Sequence, residues 1–126
     1  MKLRIQGNSI RLRLKQREVQ QLAQTGIVED RVSFGESHLI YRLRAQSQAG
    51  HMHASFADHI IEVVVPVQQV AQWAHTEQVG MEHAQPLPQG AHLHILVEKD
   101  FKCLANRPGE DESDSFPHPA EGDMKC

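Results

Sequence analysis

Laid over itself with an offset of 51 residues, the chain reproduces its own pattern of apolar positions. Ile10, Leu12 and Leu14 fall on Ile61, Val63 and Val65, and Val19, Gln21, Ala23 and Thr25 fall on Val70, Gln72, Ala74 and Thr76. Leu22 meets Trp73, and Val28 meets Val79. With one residue inserted, Tyr41, Leu43 and Ala45 meet Leu93, Ile95 and Val97. A period of this length is the sign of a repeated supersecondary unit, and a unit this small needs its neighbour to complete a core.

The first unit can be read residue by residue. Lys2 to Gln6 and Ile10 to Leu14 alternate polar with apolar, the period of a strand buried on one face. Gly7-Asn8 between them is a pair suited to a tight hairpin turn, and its counterpart is Asp58-His59. Val19, Leu22 and Ala23 follow helical spacing up to Gly26, which predicts a helix over residues 16–25. Val28 to Phe34 and Leu39 to Ala45 return to strand on either side of Gly35-Glu36-Ser37. Pro66 falls where the second unit's helix begins, a place where its missing N–H costs nothing.

The expected fold is α+β: duplicated ββαββ units forming an eight-stranded, mainly antiparallel sheet or barrel, with two short helices and a C-terminal arm. In this reading residues 1–126 are one domain. The first repeat is 1–46, the second 52–98, and 99–126 is an acidic arm containing Pro and Gly, expected to lack a core of its own. The halves would pack face to face or close a barrel, with a cleft between them.

Composition narrows the class. At 40% hydrophobic and 23% charged, the chain is typical of a globular protein. No window approaches the roughly 18 apolar residues of a membrane span, and the first residues alternate charge with aliphatics where a signal peptide would be apolar. A cytoplasmic protein without membrane contact is expected, with its two cysteines, Cys103 and Cys126, reduced. The net charge of -3 conceals a division. Residues 1–46 carry nine Lys or Arg against four acidic residues, a balance of +5, while the other 80 residues carry four against twelve, a balance of -8.

The opening K-L-R-I-Q-G-N-S-I-R-L-R-L and the closing V-E-K-D-F-K-C-L-A-N-R-P-G-E-D-E-S-D-S-F-P-H-P resemble the two ends of a family of small uncharacterised bacterial proteins. The resemblance implies a free-standing bacterial protein and brings no activity or site residues with it. It also suggests that Phe101 to Pro119 form an ordered arm.

Lys2, Arg4, Arg11, Arg13, Arg42 and Arg44 occupy the outward phase of the first unit's strands, so six cations are expected on one sheet face. With strands about 4.8 Å apart, such a face would hold a phosphate or carboxylate ligand, or the chain's own acidic run Glu110, Asp111, Glu112 and Asp114. Nucleic acid is disfavoured, because there are few aromatics for base stacking.

His92 and His94 leave one face of the last strand about 6.5 to 7 Å apart, a spacing that suits two ligands of one divalent metal, with Cys103, Glu62 and Asp100 as further ligands. His51 and His53 repeat the H-x-H spacing. Cys103 next to Lys102 is a weak nucleophile candidate, since on a strand the two side chains diverge. No G-x-S-x-G, Walker loop, dinucleotide fingerprint or H-E-x-x-H is present. A barrel lined by arginines resembles the triphosphate tunnel enzymes, but their E-x-E-x-K motif is replaced here by Lys2-Leu3-Arg4-Ile5-Gln6. The leading expectation is a non-catalytic binding domain whose basic face accepts an anionic ligand or its own acidic arm. The alternatives are a metal protein or metalloenzyme built on His92 and His94, and a homodimeric structural subunit that protects its sheet edges by association.

Overall fold

The computed structural model describes residues 1–101, so Cys103, Cys126 and the acidic run Glu110, Asp111, Glu112 and Asp114 lie outside the described residues. The fold is α+β. Its elements are β1 (Lys2–Gln6), β2 (Ser9–Leu14), α1 (Gln16–Thr25), β3 (Ile27–Ser33), β4 (His38–Gln46), β5 (His53–Ala57), β6 (Ile60–Pro66), α2 (Val67–His75), β7 (Gly80–Pro86) and β8 (His92–Lys99). A single 3-10 turn, Pro88–Gly90, precedes β8.

Local chemistry explains the boundaries. The β1–β2 turn needs positive φ only at Gly7, whereas the β5–β6 turn takes it at both Asp58 (53°) and His59 (63°). At the start of α1 the Glu18 carboxylate accepts the Lys15 N–H at 2.9 Å, satisfying one of the amides a helix start leaves open. The helix ends at Gly26, whose φ of 83° lets its N–H return to the Leu22 carbonyl at 2.9 Å. Pro66 leads into α2, which buries Val70 and Trp73. Trp73 is fully buried, and its indole N–H is satisfied by the Val79 carbonyl at 2.9 Å.

The eight strands make two separate four-stranded mixed sheets, and neither closes. The order is β1-β2-β8-β7 in the first sheet and β3-β4-β6-β5 in the second. This corrects the expectation of one eight-stranded sheet or barrel. Residues 1–46 give one hairpin to each sheet, and so do residues 53–99. The hairpins meet as parallel pairs, β2 with β8 and β4 with β6. The physical reason lies in the edges. A lone hairpin leaves two open edges, and joining two hairpins along their aliphatic strands covers the more apolar ones.

The inner faces of both sheets and the buried faces of both helices share one core, including Leu12, Val97, Leu43, Val63, Leu22 and Trp73. Side chains tie the two sheets at their margins. On one side the Tyr41 hydroxyl donates to the Met1 carbonyl at 3.1 Å. On the other, Gln85 of β7 treats Ala54 of β5 as a strand neighbour would: its Oε1 accepts the Ala54 N–H at 2.7 Å and its Nε2 donates to the Ala54 carbonyl at 3.1 Å. No helix among the described residues is long and apolar enough to cross a membrane.

Candidate functional site: a basic sheet face

The two sheets divide the six outward cations between them. Lys2, Arg4, Arg11 and Arg13 stand together on the outer face of the first sheet, while Arg42 and Arg44 stand on the outer face of the second. The single six-cation face is therefore corrected to two unequal groups. The cause is the sequence of connections: α1 carries the chain from one sheet to the other before β3 and β4 form.

On the second sheet the cations are answered locally. Glu62 of β6 lies opposite Arg42, accepts from Arg44 Nη2 at 3.1 Å and Nε at 3.2 Å, and accepts from Arg42 Nη1 at 3.4 Å. Glu29 of β3 takes Arg42 Nε at 2.7 Å. Burial alone would raise the Glu62 carboxyl, but the hydrogen bonds from Arg44 and Arg42 outweigh it and hold the group below its usual range. The bond to Glu29 raises Arg42 further from neutrality. This group is a closed ion-pair network.

The first sheet is different. Antiparallel register sets Lys2 opposite Arg13 and Arg4 opposite Arg11, two like-charged pairs side by side. A depression of about 340 Å³ lies over them, lined by Lys2, Leu3, Arg4, Arg11 and Arg13. A wider hollow of about 590 Å³ continues across β2, β8 and β7, with Ser9, Arg11, Glu82 and His94 among its walls. Glu98 of β8 pairs with Arg13 Nε at 2.7 Å and stands 3.6 Å from Arg11 Nε. Asp100 reaches Lys2 Nζ at 3.1 Å. Among the described residues Arg4 has no carboxylate partner, and its guanidinium donates only to the Gln6 side-chain oxygen at 3.4 Å.

His92 and His94 do share the outward phase of β8, opposite Pro86 and Ala84. Their expected co-ligands are elsewhere. Glu62 is on the other sheet and engaged with arginines, Asp100 is held by Lys2, and Cys103 lies outside the described residues. Among the described residues no three His, Cys, Asp or Glu groups are arranged to hold a metal ion. His94 faces the same hollow as Arg11, so it adds an imidazole to the basic surface. Alternation does not single out Glu62 and Glu98, the carboxylates that decide which cations remain open, because it says nothing about which strand lies alongside.

The model of a family of unknown function, DUF7009, matches residues 1–120. The chain belongs to that family. No curated protein and no solved structure matches it. In this DUF7009 chain the basic face of the first sheet sets four cations, Lys2, Arg4, Arg11 and Arg13, against two carboxylates, Glu98 and Asp100, among the described residues.

Proposed function

We propose that the protein is a non-catalytic cytoplasmic binding domain whose first-sheet outer face, formed by Lys2, Arg4, Arg11 and Arg13, accepts an anion. The observation that carries this reading is the pairing of like charges, Lys2 with Arg13 and Arg4 with Arg11. Like charges directly opposite on neighbouring strands are destabilising, so the arrangement calls for a counter-charge beyond the two carboxylates that reach it. Phosphate and carboxylate groups match it, because guanidinium groups bind them through charge-assisted hydrogen bonds.

The chain's own run Glu110, Asp111, Glu112 and Asp114 is the intramolecular occupant in this proposal. Support comes from where β8 ends: Asp100 already bonds Lys2, and its N–H bonds the Leu14 carbonyl at 2.8 Å. The ten residues onward to Glu110 can span at most about 36 Å, ample to reach Arg4 and Arg11. The arm then acts as an internal competitor that an external anion must displace. The reading also takes the chain as a duplicated ββαββ pair, supported by the repeated order of elements and the 51-residue offset.

The test uses the full chain and a variant carrying Glu110→Gln, Asp111→Asn, Glu112→Gln and Asp114→Asn. Calorimetry with pyrophosphate is expected to show binding that strengthens in the neutralised chain, weakens with salt, and disappears when Arg4→Ala and Arg11→Ala are added. If neither chain binds pyrophosphate and the two arginine substitutions leave the salt dependence of Tm unaltered, the proposal fails.

A further inference from the structure

Three histidines gather at the β5–β7 margin, and His83, the one on β7, also lines the hollow that reaches Arg11 and His94. His51 lies just before β5, His53 opens it, and His83 sits mid-way along β7. The ring centres of His51 and His83 are 5.3 Å apart with planes inclined by 38°. His51 and His53 are 6.4 Å apart, edge to face. The meeting joins residues 32 positions apart in sequence, and the Gln85–Ala54 amide pair fixes the two strands next to each other so that it occurs.

The His83 Nε2 atom is buried and has no hydrogen-bond partner among the described residues. Leaving a buried polar nitrogen unpaired is destabilising, so such an atom calls for a partner that completes it. Two imidazoles bound to one ion at about 2.0–2.1 Å and a tetrahedral angle place their ring centres roughly 5 Å apart. The His51–His83 separation has that value. Ring packing alone would account for the contact but would leave Nε2 unsatisfied.

We propose that His51 and His83 anchor a site for a divalent transition metal, with His53 turning in as the third ligand and solvent completing the shell. Three groups do not stand ready around one point. The His51–His83 pair has the ring separation that two ligands of one ion require, and His53, two residues from His51 at the start of β5, has its ring centre 6.4 Å from that of His51. An all-imidazole donor set favours zinc, copper or nickel over the oxygen-seeking magnesium and calcium. Its ligands are neither the His92–His94 pair nor the cations of the anion proposal, although His83 borders the hollow lined by Arg11 and His94.

Calorimetry with zinc sulfate on the untagged full chain, with Cys103→Ser and Cys126→Ser to remove thiol ligands, tests this. One equivalent of zinc is expected to bind. His51→Ala is expected to weaken binding about tenfold or more, whereas His92→Ala with His94→Ala leaves it unchanged. His51 is exposed, so its replacement should not perturb folding, and circular dichroism of the variant checks this. Absence of saturable uptake up to about 1 mM zinc, uptake that survives His51→Ala, or uptake abolished by the β8 substitutions would each overturn the proposal.

Discussion

Glu62 meets two guanidinium groups from one neighbouring strand, so its charge matters more than its size. Its folded-state pKa is depressed below the ordinary value of 4.5, which fixes the sign of its pH dependence. The stabilisation is complete above the unfolded-state value and is lost as pH falls through the lower folded-state value. Glu62→Gln is expected to cost about 1 kcal/mol at neutral pH, and that deficit should close as pH is lowered beneath 4.5. Urea denaturation of both proteins at descending pH checks it; a deficit constant with pH would mean that the arginines contribute nothing. The sequence announced Arg42 and Arg44 as outward cations through simple alternation, but not this answer to them. Glu62 is 20 positions from Arg42 and becomes its neighbour only when β4 and β6 pair. One trace was available: at an offset of 51, Glu62 falls on Arg11, a reversal of charge at an outward position. His83 was still less legible, because its partner, His51, comes from a different strand margin.

Among the elements, the two corresponding hairpin turns solve the same problem with different chemistry. Gly7 takes positive φ without a Cβ to object, whereas Asp58 and His59 hold φ of 53° and 63° with side chains attached. A left-handed conformation costs a non-glycine residue roughly 1–2 kcal/mol, and glycine's greater freedom in the unfolded chain returns part of that difference. His59→Gly is therefore expected to stabilise the protein by about 0.5–1 kcal/mol, read as a higher Tm. An unchanged or lower Tm would place the strain elsewhere. Most elements were legible because they carried a local signal, Gly26 ending α1, Pro66 preceding α2 and alternation marking β1, β2 and β4, whereas β5 and β7 were expected only through the 51-residue offset. The assignment of strands to sheets was not, since parallel pairing of β2 with β8 joins residues about as far apart as the described chain allows. Alternation records which side of a strand is buried and is silent about its neighbour.

For the whole molecule, stability depends on the joining of hairpins across each sheet. Neither residues 1–46 nor residues 53–99 contain a complete sheet, and both helices bury their faces in the shared core. A break introduced between Gln46 and His53 should thus give two pieces that show no cooperative thermal transition alone and recover one when mixed. Circular dichroism on the separate and combined pieces decides this, and a cooperative transition in either piece alone would contradict it. The two parallel seams have a further consequence. Each is formed between one half and the other, with only the connection of residues 47–52 specifying that both halves belong to the same chain. Two copies could exchange halves and rebuild every strand pairing unchanged, so a shortened 47–52 connection is expected to replace the pairing within one chain by a domain-swapped dimer, seen as a doubled mass in size-exclusion chromatography with light scattering.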